Sequence, residues 1–337
     1  MRKKEADFII VGAGSAGCVL ADKLSADGKH QVILLEAGPS DNRFWIRTPI
    51  GYGITYTDPK VNWCYSAEPD LAIANRQLFW PRGKVLGGSS SINAMVYHRG
   101  QAKDYEDWER AGNPGWGYSN VAQVYESFEE FSTTSRSWRT TSSHPRSGNR
   151  LTIHDASANY HSLKHDFAEA FLQAGLNCPD DLCLEGEGVG PYLITTRAGK
   201  RCSSATAFLH PASDRSNLEI LTNTAVTRVD IERGAAIGVT GLLGNQFIEI
   251  KARKEVLLCA GAVNSPKLLQ LSGIGPGELL QAHGVQSVLE HPHVGRHLQD
   301  HLGISYFYRA NRPTLNRTLR SCCLLYTSPS PRDQRGS

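Results

Sequence analysis

Two short apolar runs of strand type, Asp7–Val11 and Val32–Leu35, frame the start of the chain, and the stretch between them, Cys18–Leu24, repeats its apolar positions with the period of a helix. From Gly38 to Arg82 the pattern loses its period among glycines, prolines and aromatics. That length reads as an irregular excursion of the kind that forms a lid or wraps a surface. Tyr105, Trp108, Trp116, Tyr125 and Phe128 then recur at broadly helical intervals and predict an aromatic core beneath a polar face. Ser132–Arg150 is polar and reads as a loop, and Leu151–Ile153 as a strand. Ser162–Ala174 has a helical period with Gly175 placed as its stop. Pro179–Glu187 is an acidic turn, and Arg197–Phe208 reads as a solvated basic loop. Leu218–Leu221, Ala225–Ile231 and Glu255–Cys259 are strand candidates. Ser265 and Pro266 are expected to cap and open the helix that follows.

The turn out of the first run carries the first chemistry. Gly12, Gly14 and Gly17 stand in G-x-G-x-x-G spacing between strand and helix, so the chain can turn tightly, let a pyrophosphate approach the backbone and pack the helix close to the sheet. The helix N-terminus then offers unpaired N–H groups to phosphate. Glu36 closes the second run nineteen residues after Gly17, where a carboxylate can accept hydrogen bonds from a ribose diol. Strand, glycines, helix, strand and acid in this order predict a dinucleotide site and leave NAD and FAD both open.

Composition narrows the setting. At 337 residues the chain can bury one large core or two interlocked ones, and a formal charge of +3 spread along it does not point to nucleic acid. Its apolar runs are far shorter than the roughly 20 residues of a membrane span. Acidic residues follow Arg2–Lys4 at once, so no secretory leader is expected. The eight cysteines include no C-x-x-C pair, which suits buried thiols in a reducing cytoplasm. His293, His297 and His301 fall at i, i+4 and i+8, a metal-ligand row if they shared one helix, but Gly295 interrupts them and no metal site is assigned.

A second glycine-rich stretch, Gly83-Lys-Val-Leu-Gly-Gly-Ser-Ser-Ser-Ile-Asn93, allows close backbone approach and offers small hydroxyls to phosphate or ring atoms. With Tyr97, Gly100 and Glu106 at the right offsets, it resembles the first signature of the glucose-methanol-choline oxidoreductases, and the choline-dehydrogenase-like members above all. Gly261-Ala-Val-Asn-Ser-Pro266, running on to Gly275, is similar to the second signature. The resemblance extends from about Asp7 to about Leu319 and moves the cofactor from NAD to FAD.

That family implies an α/β fold: a Rossmann-type FAD/NAD(P)-binding domain, expected over 1–150 and 197–302, interleaved with an incomplete α+β substrate domain on an antiparallel sheet, expected over 151–196 and 303–320. The FAD contacts it implies are Gly12, Gly14, Ser15, Ala16, Gly17, Glu36, Ala37, Gly83, Leu86, Gly87, Gly88, Ser90, Asn93, Ala94, Met95, Val96, Val226, Ala260, Gly261, Asp300 and His301. Asp300 and His301 lie in a segment similar to the family's V-G-R-N-L-Q-D-H loop, with His297 in place of Asn. Ile92 stands where some members carry a histidine bonded to the flavin, so non-covalent FAD is expected. The implied reaction, that of a full-length member, takes hydride from an alcohol to flavin N5; this chain is expected to be an N-terminal fragment that lacks the catalytic histidine and is inactive by itself, with a hydroxynitrile-lyase-type enzyme or an inactive truncated flavoprotein as alternatives. The family's catalytic histidine motif has no match here, and no catalytic residue is assigned. The expected partner is a small alcohol, with the electron acceptor open and a homo-oligomer allowed. The expected location is cytoplasmic, at most peripheral to the inner membrane. Residues 321–337 have the composition of a non-native tail.

Overall fold

Ile9, Ile10, Leu34 and Leu35 are almost wholly withdrawn from solvent, as strands covered on both faces must be. In the computed structural model, which describes residues 2–132, 150–157, 160–178, 188–301 and the single positions 303, 305, 309, 311, 313 and 314, they lie in strand β1, Arg2–Val11, and strand β2, Val32–Leu35. Helix α1, Ser15–Ser25, joins the two and buries Gly17, Cys18, Ala21, Asp22 and Ser25, a single helical stripe. The carboxylate of Asp22, buried in that stripe, meets the guanidinium of Arg215 at 2.8 Å. Later in the chain come β3, Leu218–Leu221, β4, Thr224–Glu232, β5, Ala235–Leu243, β6, Gln246–Leu258, and helix α2, Gly261–Leu271.

The strands form one six-stranded sheet in the order β3-β2-β1-β6-β5-β4. β3, β2, β1 and β6 run parallel, and β5 and β4 add an antiparallel edge. This is the Rossmann-type α/β arrangement. Its core gathers Ile9, Val11, Ile33, Leu35, Val229, Val239, Ile248, Ile250 and Leu268, and each such side chain contributes roughly 1.5–3 kcal/mol by leaving water. The parallel strands all end on one edge, where Gly12 N–H bonds to Leu35 O at 2.8 Å, Glu36 N–H to Leu221 O at 2.9 Å and Cys259 N–H to Val11 O at 2.7 Å.

β5 has no counterpart in the sequence reading, and only the end of β6 does. The reason lies at Gly238 and Gly241: a Cβ on Gly241 would stand 2.4 Å from Ala225 O, so close strand approach replaces the alternating side chains that announce a strand. The helix expected to open at Pro266 begins five residues earlier, at Gly261, with Pro266 inside it. Ser265 faces backwards, its hydroxyl accepting the Ala260 N–H at 3.1 Å. The Gly38–Arg82 excursion is less irregular than expected. It contains helical turns at Phe44–Arg47 and Tyr52–Thr55 and a strand pair, Tyr65–Ser66 with Phe79–Trp80, elements too short to show a period. Ile46, Val61, Val85 and Ile92 give it a small buried core.

The chain divides into two compact units, one holding residues up to Asn93 with Ser203–Ser305, the other built on Ala94–Cys202. Residues 94–132, expected with the first domain, thus fold in the second, because Val96–Tyr97 pairs antiparallel with Leu193–Ile194 and Glu129–Phe131 pairs parallel with Leu151–Ile153. Of the aromatics there, Tyr105 is buried, while Trp108 and Trp116 are half exposed and stack edge-to-face on each other. The expected helix is Leu163–Gln173, followed by Gly175 at φ +84°. Arg197–Phe208 is structured: Thr196–Arg197 and Lys200–Arg201 pair, and Ala205–Leu209 is a buried helical turn. No helix among the described residues is long and apolar enough to cross a membrane. The acidic turn at 179–187, most of the polar loop at 132–150 and the tail at 321–337 lie outside the described residues.

Candidate cofactor site

Two glycines of the first turn, Gly17 and Gly14, have opposite jobs. A Cβ on Gly17 would lie 1.9 Å from Gly12 O, so Gly17 is what lets α1 sit against the turn. Gly14 is the opposite case: its Cβ would meet only Cys259 O, at 3.7 Å, and would otherwise project into open space. The fold tolerates a side chain at Gly14, and what the missing side chain leaves is room beside the first N–H groups of α1.

That room belongs to a cavity of about 860 Å³ at the carboxyl edge of the sheet, walled by Gly12, Gly14, Ser15, Ala16, Glu36, Ala37, Gly83, Gly88, Val226, Ala260 and Gly261 among the sequence-predicted residues. The second glycine stretch reaches it by packing onto the first turn. Gly87 N–H donates to Ala13 O at 2.7 Å, and a Cβ on Gly88, at φ +55°, would stand 2.7 Å from the Gly14 Cα. Of the three serines, Ser89 faces the cavity and accepts the Gly83 N–H at 3.0 Å. Ser90 instead pairs with Ser204 at 2.9 Å and donates to Gly87 O, and Ser91 donates to Leu86 O. Their hydroxyls hold the segment's own fold, a role their side-chain chemistry alone did not reveal.

Glu36 sits under the cavity with only 6% of its surface exposed. Its two oxygens accept the Ala13 N–H at 3.0 Å and the Gly38 N–H at 2.9 Å. Burial pushes its carboxyl up to about 7, against the pull of those two backbone bonds. The carboxylate therefore braces the glycine turn while facing the cavity, with lone pairs left for a further donor.

Trp63, Tyr65, Arg82, Thr224, Cys259 and Asn264 complete the walls without having been singled out in the sequence. Trp63 and Tyr65 stack with ring centroids 5.8 Å apart, Lys84 places its ammonium 4.8 Å from the Trp63 ring, and the Tyr65 hydroxyl donates to Asn264 Oδ1 at 2.6 Å. The i, i+2 spacing of two aromatics in Trp63-Cys64-Tyr65 was the available signal. Burial raises the Cys259 thiol above its ordinary value.

Gly17, Leu86, Gly87, Ser90, Asn93, Asp300 and His301 belong to the same unit but are not among the wall residues. Asp300 approaches the wall residue Arg82 at 3.9 Å. Ala94, Met95 and Val96 belong to the second unit. There Met95 is buried at φ +62° and its carbonyl accepts the Thr195 N–H at 2.9 Å, a backbone strain invisible in the sequence. The i, i+4, i+8 spacing of His293, His297 and His301, not assigned as a metal site from the sequence, falls on no helix. No group of three or more His, Cys, Asp or Glu able to hold a metal occurs among the described residues.

Helix N-terminus, an open glycine face, a buried carboxylate at the end of β2 and a cavity at the carboxyl edge of a Rossmann-type sheet fit a dinucleotide. Comparison with known proteins specifies the class. The model of the GMC oxidoreductases matches residues 6–303, and the chain belongs to that family. It is 43% identical over 311 residues to the alcohol dehydrogenase [acceptor] of Pseudomonas putida, covering 91% of this chain and 55% of that protein. Human mitochondrial choline dehydrogenase is 40% identical over 334 residues, covering 96% and 55%. Among solved structures, pyridoxine 4-oxidase from Mesorbium loti superposes with a TM-score of 0.78 at 33% identity, over 85% of this chain and 55% of that one. The chain thus spans about half the length of the relatives it matches. Family membership makes it part of an oxidoreductase and implies FAD as the cofactor.

Proposed function

We propose that the protein binds FAD non-covalently in the cavity above β1 and α1 and serves the oxidation of an alcohol to an aldehyde or ketone. The observation that carries this is the contrast at the first turn, where Gly17 is closed off by backbone while Gly14 opens onto the cavity over the N-terminus of α1. In this reading Ser15 and Ala16 present backbone N–H groups to the pyrophosphate. Glu36 takes hydrogen bonds from the ribose and holds the turn through Ala13. Val226, on strand β4 opposite Gly241, lies along the cavity wall and gives the adenine a backbone edge. Ile92 is buried against Ile46, Val61 and Val85 and carries no nucleophile, which supports a non-covalent cofactor. When bound, FAD supplies the hydride acceptor. No residue is assigned as the base that takes the hydroxyl proton.

The test is anaerobic addition of a simple primary alcohol, or of choline, to the purified flavoprotein expressed at the full length of its relatives. Bleaching of the oxidised flavin band with formation of the aldehyde is the expected result. A cyanohydrin cleaved while the band stays oxidised, with no response to any alcohol, would replace oxidation by lyase chemistry.

A further inference from the structure

The turn that follows the short strand Leu289–Glu290 brings two imidazoles together through their ring nitrogens. Val294 N–H bonds to His291 O at 3.3 Å and Arg296 N–H to His293 O at 3.1 Å, which closes the turn on itself. Gln270, on α2, donates to Val294 O at 3.1 Å and pins the turn to the sheet domain. His297 then adopts φ +59°, a left-handed conformation that a side chain enters at a cost of roughly 1–2 kcal/mol. The consequence is that His293 Nδ1 and His297 Nε2 stand 3.3 Å apart on an exposed surface, with ring centroids 5.4 Å apart and planes inclined by 41°.

We propose that His293 and His297 form a two-imidazole site for a late first-row divalent ion, Zn²⁺ foremost. With Zn–N bonds of roughly 2.0–2.1 Å, two tetrahedral imidazole nitrogens lie about 3.3–3.4 Å apart, the separation found here. For both lone pairs to meet on one ion, each ring has to tilt from the N···N line by about 35°, which follows from the tetrahedral angle and is within side-chain rotation. Water completes the coordination, in keeping with a site of two protein ligands. Imidazole selects Zn²⁺, Ni²⁺ and Cu²⁺ over Mg²⁺ and Ca²⁺, which prefer oxygen. Both histidines are free of the flavin chemistry proposed above, and the site stands whether or not that reading does.

Calorimetric titration of Zn²⁺ into the protein, and into His293→Ala and His297→Asn, tests it. Asn enters the left-handed region readily, so His297→Asn removes the imidazole and keeps the turn. Wild type should bind one Zn²⁺ more than either variant, or bind it at least tenfold more tightly, while His283→Ala, at an exposed histidine elsewhere, binds as wild type does and excess Mg²⁺ does not compete. Equal stoichiometry and affinity in wild type and in a His297→Asn protein with an unchanged melting curve would overturn the proposal.

Discussion

Glu36 illustrates how one residue serves fold and site together. Its carboxyl is pushed up to about 7 by burial, above the ordinary 4.5, so the folded protein holds a proton there that the unfolded chain has already released. The stabilisation from the protonated form is fully present below pH 4.5 and is lost as pH rises through 7. Denaturation of the cofactor-free protein across this range should therefore show wild type losing stability relative to Glu36→Gln, by an amount on the order of 3 kcal/mol. A flat difference would mean that Glu36 is ionised throughout. Toward the cofactor, Glu36→Ala should weaken FAD binding by about 1–3 kcal/mol, as expected for lost charge-assisted hydrogen bonds. Equilibrium titration with FAD measures it, and unchanged affinity would remove Glu36 from the ribose.

At the scale of elements, the turn between β1 and α1 and the network beneath the second unit's strands each depend on one group. Gly17→Ala forces a Cβ against Gly12 O, 1.9 Å away, and should cost about 3 kcal/mol in urea denaturation, because the obstacle is backbone and cannot rotate aside. Glu129, 3% exposed, accepts Arg99 Nε at 2.8 Å and the Tyr97 hydroxyl. Glu129→Ala removes the buried carboxylate that pairs with the half-buried Arg99 and should cost about 3 kcal/mol by the same measurement; a change below about 1 kcal/mol would show the network to be solvated. The strands β2 and β3 and the helix near Leu163–Gln173 were legible because their apolar positions are continuous or periodic. β5 was not, since Gly238 and Gly241 trade side chains for close approach, and neither was the start of α2, where Gly261, Ser265 and Pro266 sent conflicting cap signals.

For the whole molecule, the parallel part of the sheet is what collects the site. Its carboxyl edge brings residues 11, 12, 14–16, 35–37, 224–227 and 258–264 to one cavity, and the glycine fingerprint made that edge readable from the first forty residues. The pairing of Tyr65 with Asn264 in the wall was not readable, since it is a hydrogen bond between residues 199 apart in sequence. FAD held by a folded cavity and not by the unfolded chain should stabilise the protein by roughly 2.7 kcal/mol at a hundredfold excess over its Kd. No displacement of the denaturation midpoint by FAD would show that the folded chain does not bind it. The sharpest single measurement is FAD affinity in Gly14→Val beside wild type, with the unfolding curve of each recorded in the absence of FAD. Because only Cys259 O lies near the new Cβ, the variant should unfold within about 1 kcal/mol of wild type. Its affinity for FAD should nonetheless fall by about a hundredfold, equivalent to roughly 2.7 kcal/mol. A variant that folds as wild type does and binds FAD equally well would contradict the assignment of this cavity to the cofactor.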